Sequence, residues 1–319
     1  MKGMIFFLVV LLGAVLFTWG WAMNRKTYPV TFGLSFSQYH ATWLGLDWRE
    51  TYLEILGDLK PAIIRLAAPW DEVEAARGEF LFADLDWQMN EAKNHGARVT
   101  LVVGQKAPRW PECHVPAWAD TLTKEERKEA LLAYARQVVM RYKDHAALEY
   151  WQVENEPFIR FVFGECQNFE AAFTYDEVAL VRELDPTHPI IVTDSGELST
   201  WWMAGRAGDY LGTTLYRVVR TPRGRVVTYD WLPALFYRLK AKFLGGGVDR
   251  LVIAELQAEP WFTDTTPLDT PVREMEETLS PTRLKQNITY ARHIGAKRAY
   301  LWGAEWWYWM KTQGDDTIW

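Results

Sequence analysis

Leu148-Glu-Tyr-Trp-Gln-Val153 is an apolar, β-rich run that leads directly into Glu154-Asn-Glu-Pro157. Short runs of this kind, bounded by turn residues, read as strands. Working outward from it, similar runs alternate with longer amphipathic stretches, which argues for βα units and a parallel sheet. Upstream lie Thr31-Phe-Gly-Leu-Ser-Phe36, Ala62-Ile-Ile-Arg-Leu-Ala67 and Arg98-Val-Thr-Leu-Val-Val103. Downstream lie Pro189-Ile-Ile-Val-Thr193, Asp209 to Tyr216, Leu251-Val-Ile-Ala254 and Arg298-Ala-Tyr-Leu-Trp302.

The stretches between these runs carry helix signals. Tyr52, Ile55, Leu56 and Leu59 share one face, and Pro61 ends that helix. A second helix covers about Leu85 to His95, with Gly96 suited to its C-terminal cap. Thr123 and Glu126 form a capping box ahead of Leu131, Tyr134, Ala135, Val138 and Tyr142. Thr174 and Glu177 have the same spacing and are expected to cap the next helix. The connection after the fifth strand is weakly helical. Leu232, Leu235, Phe236 and Leu239 precede a turn at Gly245-Gly-Gly247. Ser280 as cap and Pro281 at the first helical position open another helix, with Leu284, Ile288 and Ala291 inward and Gly295 at its end.

Eight strands with intervening helices fit a (β/α)8 TIM barrel, for which about 250 residues are typical; the chain has 319. Only 17 residues follow Trp302, so the eighth helix is expected to be short or missing.

Residues 3–21 stand apart from the barrel. They carry no charged side chain, with Lys2 before them and Asn24-Arg-Lys26 after. Nineteen apolar residues suffice to cross a bilayer as a helix, and Gly20-Trp-Ala22 is a poor cleavage site. Residues 1–26 are therefore read as an uncleaved signal anchor or transmembrane segment, with a cleaved signal as the alternative. Residues 27–319 are read as the catalytic barrel, membrane-anchored and extracytoplasmic, or secreted if the segment is removed. Positive charge flanks both ends of the run and does not set its orientation.

The net charge is −6 and no basic run occurs, which sets aside a nucleic-acid partner. Two cysteines, Cys113 and Cys166, match no zinc-site spacing, and no metal or cofactor is expected. They follow the third and fourth strands, which are adjacent in a barrel. Pairing is expected in an exported domain, with two free thiols as the alternative. Asn287-Ile-Thr289 has the form of a glycosylation site but falls inside an expected helix. The chain holds 18 Trp, 14 Tyr and 15 Phe. Most of the Trp suit a core; a minority near strand ends suit stacking against the apolar faces of sugar rings.

In such a barrel the chemistry lies at the C-terminal ends of the strands. Two carboxylates stand out there: Glu156, just past the fourth strand, and Glu255, at the end of Leu251-Val-Ile-Ala254. A carboxylate where a buried strand meets a pocket is costly unless used or paired. Glycosidic cleavage needs such a pair, one to protonate the leaving oxygen and one to attack or to activate water. The plainer reading is that each Glu pairs with an Arg.

Val153-Glu-Asn-Glu-Pro157, together with a Glu ending the seventh strand, resembles the clan A glycoside hydrolases, the cellulase-like barrels. The likeness runs over roughly residues 31–310. It also takes in Trp70-Asp-Glu-Val-Glu74, Gly78-Glu-Phe80 and Leu85-Asp86, which look like that clan's second βα loop. The resemblance implies a retaining hydrolase of a β-linked carbohydrate, with Glu156 as acid/base and Glu255 as nucleophile. It implies that Asn155 contacts a sugar 2-hydroxyl, Arg65 supports the nucleophile, Tyr216 hydrogen-bonds it and Trp302 floors the sugar site. Glu259 is a nearby acid that could be taken for the nucleophile. Glu255 is preferred because it abuts the apolar strand directly. Trp110, His114 and Glu305 are further candidates for substrate contact from their places after the third and eighth strands. A catalytically inactive glycan-binding barrel and a transglycosylase using the same site are the competing readings.

Overall fold

The computed structural model describes residues 18, 20, 22–160, 164–166, 168–221, 223–262 and 266–319. In chain order the elements are β1 (Thr31–Ser35), α1 (Gln38–Trp43), α2 (Trp48–Glu54) with a π-helical turn over Ile55–Leu59, and β2 (Ile63–Ala67). Next come α3 (Trp70–Val73), α4 (Ala83–Asn94), β3 (Arg98–Val103), α5 (Lys124–Tyr142), β4 (Leu148–Val153), α6 (Phe173–Leu184) and β5 (Ile190–Asp194). Then follow α7 (Ala204–Ala207), β6 (Tyr210–Leu215), β7 (Val218–Arg220), β8 (Val226–Thr228), α8 (Ala234–Leu244) and β9 (Leu251–Gln257). The chain closes with α9 (Val272–Met275), α10 (Pro281–Ile294), β10 (Arg298–Trp302) and α11 (Ala304–Thr312).

Eight strands form a closed barrel in the order β1-β2-β3-β4-β5-β6-β9-β10, with β10 returning to β1. Every pair in the barrel is parallel. The (β/α)8 expectation holds. The weakly helical fifth connection is the four-residue α7, and the eighth helix is short, nine residues in α11. The β7–β8 hairpin was not foreseen; its two strands have only three residues each, too few for alternation to register.

Strand periodicity sets up the site. Side chains repeat on one face every second residue, and Ile63, Tyr150, Ile191, Val252 and Tyr300 form an apolar plug of their own. Two residues further along the same strands come Arg65, Gln152, Thr193, Ala254 and Trp302. An apolar layer thus closes the bottom of the barrel, and a largely polar layer lies above it toward the C-terminal ends.

Helix chemistry follows the sequence at most ends. Thr123 and Glu126 cap α5 reciprocally. Ser280 caps α10 with Pro281 inside its first turn, and Gly295 ends it with a left-handed backbone. Asn287 is buried in α10 and donates to the Gln257 carbonyl, 3.0 Å. One capping expectation fails: α6 begins at Phe173, so Thr174 and Glu177 lie inside its first turns, both buried. Glu177 is buried near Glu154 rather than turned back to a cap, and its carboxyl oxygens have no hydrogen-bond partner among the described residues.

The apolar run over residues 3–21 lies almost wholly outside the described residues. Among the described residues, no helix is long and apolar enough to cross a membrane.

Candidate active site

The end of β4 is shaped by an unusual turn. Glu154 and Glu156 both adopt left-handed backbone, φ 59° and 46°, at a cost of about 1–2 kcal/mol each for residues with a Cβ. Glu154 is fully buried, and its carboxylate accepts the backbone N–H groups of Gln105 (2.8 Å) and Lys106 (2.6 Å). Gly104 makes that approach possible, because a Cβ there would fall 2.6 Å from the Glu154 carboxyl carbon. With Glu154 pinned outward, Asn155 and Glu156 point to the mouth. The Glu156 backbone N–H donates to Thr193 Oγ1 (2.8 Å), and Thr214 Oγ1 donates to the Glu156 carboxylate (3.1 Å).

Glu255 is reached from two sides. Arg65 Nη1 donates to its Oε1 at 3.1 Å and Tyr216 Oη donates to its Oε2 at 2.9 Å. Arg65 is itself fully buried. Its other donors go to Gln152 Oε1 and Asn155 Oδ1, each at 2.8 Å. One guanidinium therefore orders Glu255 and Asn155 together, a fork geometry that Lys could not copy. Tyr216 packs edge-on against Trp261, centroids 5.1 Å apart.

Burial raises the Glu156 carboxyl well above the usual range, and the negative charge of Glu255 raises it further. Lys106 opposes this. Burial also pushes Glu112, from the loop after β3, up to about 7; Lys106, 3.6 Å away, pulls it back and Glu255 adds to the rise.

The opposite side of the mouth is differently built. Arg109, on the same loop, pairs with both oxygens of Glu259 and with Glu305 Oε2 (3.2 Å). Its guanidinium lies 4.0 Å from the centroid of the Trp302 ring, a cation–π contact. Glu305 is fully buried and also accepts the Ser37 backbone N–H at 2.5 Å. His40 Nε2 stands 3.5 Å from Glu259. Burial would raise the Glu259 carboxyl, but Arg109 and His40 outweigh it and hold it at about 2.

Loop 104–116 is fixed in this position from outside. Cys113 and Cys166 are bridged, with Cα atoms 5.1 Å apart, so the pairing expectation holds. Glu165 N–H donates to the Pro111 carbonyl at 2.9 Å. A Cβ on Gly164 would meet that carbonyl at 2.2 Å, so the two loops touch backbone to backbone.

Of the residues singled out from sequence, Glu156, Glu255, Arg65, Asn155 and Tyr216 converge on one spot. Trp302 is at the mouth with Arg109 over its ring. Glu305 is committed to Arg109 and Ser37. His114 is buried, 3.3 Å from Asp71 and packed on Tyr39. Trp110 is 67% exposed at the tip of its loop. Arg109, Glu112, Thr193 and Thr214 had not been singled out. The signal available for the first two was their place after β3; nothing local marks the two threonines.

A closed parallel barrel with an acid after β4, another on β9 and a buried arginine that joins Glu255 to Asn155 is the arrangement that the resemblance to the clan A glycoside hydrolases implies. The glycosyl hydrolase family 10 profile matches residues 66–168, from β2 to just past β4. Among solved structures, the chain is similar to a β-galactosidase from Rahnella sp. R3 at 13% identity and TM-score 0.59, covering 88% of this chain and 51% of that one. It is similar to xylanase 10B from Thermotoga maritima at 15% identity and TM-score 0.55, covering 87% and 83%. It is also similar to the exo-β-1,4-mannosidase Op5Man5 from Opitutaceae bacterium strain TAV5 at 16% identity and TM-score 0.57, covering 87% and 52%. At these identities the likeness is one of fold. The chain spans about half the length of the β-galactosidases it matches.

Proposed function

We propose that the chain cleaves β-linked glycosides by double displacement, with Glu255 as nucleophile and Glu156 as acid and then base. The observation that carries this reading is the difference between two neighbouring buried acids. Glu255 receives a charged hydrogen bond from Arg65 and a second from Tyr216. Glu156 has neutral partners and is pushed upward by burial and by Glu255 itself. Neighbouring carboxyls set apart in this way divide into an anion and a proton donor.

In the first step Glu255 attacks the anomeric carbon while Glu156 gives its proton to the glycosidic oxygen, and the aglycone leaves as an alcohol. In the second step Glu156 takes a proton from water, the oxygen attacks the glycosyl ester, and Glu255 is released. A sugar hydroxyl in place of that water would give transglycosylation. Retention needs the carboxyls about 5–5.5 Å apart and inversion about 6.5–9.5 Å. The test is product stereochemistry by NMR on aryl β-galactosides, β-xylosides and β-mannosides, the sugars in the names of the similar structures. First-formed products should retain configuration, and inverted products would overturn the mechanism. A fluorosugar should label Glu255; label on Glu259 would overturn that assignment.

One observation favours a second reading, a barrel that binds glycans without turnover: Arg109 occupies the Trp302 face on which a sugar would stack. Binding with no product on any substrate of the panel would support it.

We also propose that the barrel is exported and held at a membrane by residues 3–21. The apolar run and the Cys113–Cys166 bridge, a bond of oxidising compartments, support this. Release of the full chain by carbonate and high salt would refute the anchor.

A further inference from the structure

Helix α8 carries an apolar stripe that faces away from the barrel. Ala234, Tyr237 and Ala241 are its buried side. Phe236, Leu239 and Phe243, spaced i, i+3 and i+7, are exposed. Trp231 lies just ahead of the helix and is 74% exposed. At the far end α7 abuts α8, since a methyl on Gly205 would fall 3.0 Å from the Leu244 carbonyl. Exposed Trp202 and Met203 immediately precede α7. A contiguous exposed apolar surface rich in aromatics marks an interaction site rather than ordinary exposure.

Two observations identify the partner. The helix Ala-Leu-Phe-Tyr-Arg-Leu-Lys-Ala-Lys-Phe-Leu bears three cations and no acid; Lys240 turns inward to the Gly196 carbonyl at 2.7 Å, which leaves Arg238 and Lys242 beside the stripe. Lys242 lies 5.7 Å from the Phe243 ring, and Arg206 stacks 3.3 Å over Trp202. Exposed aromatics bordered by Lys and Arg suit the headgroup region of an anionic bilayer. The second observation is where the apolar N-terminal run ends. Asn24 Oδ1 accepts the Leu235 backbone N–H at 3.2 Å, and the Met23 carbonyl accepts from Arg238 at 3.5 Å. A membrane segment ending at residue 21 is then three residues from Asn24, which meets the first turn of α8, at most about 11 Å of extended chain.

We infer that α8, with its flanking Trp231 and Trp202, lies in the interface of an anionic membrane, so that the barrel rests on the bilayer by its side. This surface is separate from the catalytic mouth, and the inference rests on the reading of residues 3–21 as the anchor.

The full chain, with Leu239→Cys or Phe243→Cys, would be reconstituted into vesicles of phosphatidylcholine and phosphatidylglycerol and spin-labelled. Both native cysteines are bridged, so labelling is selective. Met140 on α5, also exposed and apolar, serves as control after Met140→Cys. The expected result is that labels at 239 and 243 collide with oxygen and lose collisions with a water-soluble nickel complex, while the label at 140 keeps both. A Phe236→Asp, Leu239→Asp, Phe243→Asp triple variant, followed through a label at Trp202→Cys, should regain nickel collisions while staying with the vesicles. Nickel access at 239 and 243 equal to that at 140 would overturn the inference. So would labels shielded from both reagents, the sign of cover by residues 3–17 or by a second copy. Failure of the anchor reads differently: the full chain would leave the vesicles in carbonate.

Discussion

On the β4 side of the barrel mouth, burial pushes Glu154 up to about 7 and Glu156 and Glu177 well above the usual carboxyl range. On the β10 side, burial acts on Glu259 in the same direction, yet Arg109 and His40 hold it at about 2. The difference is the cation. Arg109 sits between two acids and against an aromatic face, so that side is a charged clamp in which Glu259 has no proton to exchange near neutrality. The β4 side has hydroxyls, amides and backbone N–H groups around its acids, with Lys106 at the margin, and its protons remain available. Buried carboxylates are therefore not equivalent evidence of catalysis: the ones without a full counter-charge are the candidates for proton transfer.

The sharpest way to break this comparison is to remove the acids of the two sides one at a time. Glu255→Ala should lower kcat by at least about 10⁴-fold on every substrate, as for other nucleophiles working within a catalytic unit. Glu156→Ala should lose about 10²–10⁴-fold where the leaving group needs a proton. With an activated aryl glycoside it should lose less, and azide should restore turnover as a β-glycosyl azide. Glu259→Gln should show its main effect in stability. Steady-state kinetics on purified variants decide the matter, and a Glu259→Gln defect as deep as that of Glu255→Ala would erase the distinction.

Arg109→Ala tests the clamp. It leaves Glu259 and Glu305 buried without their cation, and breaking such a pair costs roughly 3–5 kcal/mol. Glu259 at about 2 lies below the usual glutamate value of 4.5. Its contribution is therefore fully present above pH 4.5 and is lost as the pH falls toward 2. Urea unfolding of the wild type should show that loss, and Arg109→Ala should not. Adding Glu259→Gln and Glu305→Gln to Arg109→Ala should recover part of the stability. Equal midpoints for wild type and Arg109→Ala would show that the clamp is idle.

Reducing the Cys113–Cys166 bridge loosens the loop that carries Lys106, Arg109 and Glu112. A bridge across this span typically contributes about 2–4 kcal/mol. Cys113→Ser with Cys166→Ser should lower the unfolding free energy by that amount and raise KM more than it lowers kcat, because the proposed catalytic acids stand on β9 and in the turn directly after β4. An unchanged KM would separate the loop from substrate binding.

The β4 and β9 side was legible in the sequence because its residues sit at fixed offsets from apolar strands. Arg65, Glu156 and Glu255 could each be placed by counting from a strand end. Arg109 and Glu112 could not. Their placement depends on left-handed backbone at both residues, φ 85° and 72°, and on a bridge to a loop 53 residues away. Trp302 was placed correctly on its strand, but its covering guanidinium comes from that same loop, and no local pattern encodes such a contact. Thr174 and Glu177 had the spacing of a capping box. What overrode it was burial of both residues inside the first turns of α6, with Glu177 near Glu154, whose own carboxylate is committed to Gln105 and Lys106.

That proximity gives the smallest effect. Glu177 is buried on α6, and burial together with Glu154 raises it well above 4.5. Glu154 stands at about 7, raised by burial and pulled back by its hydrogen bonds. Both folded values exceed the unfolded one. Between about pH 4.5 and 7 the native state then holds more protons than the unfolded chain, so stability rises as the pH falls through that window and is lost as it rises. Glu177→Gln keeps the shape and places an amide near Glu154 without a proton to lose. The variant should be more stable than the wild type near pH 7 by on the order of 1 kcal/mol, the worth of about one pKa unit. Its stability should depend less on pH between 5 and 8. Glu259 titrates far below this window and contributes little slope there. Urea midpoints of the two proteins at pH 5, 6, 7 and 8 make the comparison. Parallel curves would mean that the Glu154–Glu177 pair does not set the pH response of the β4 side.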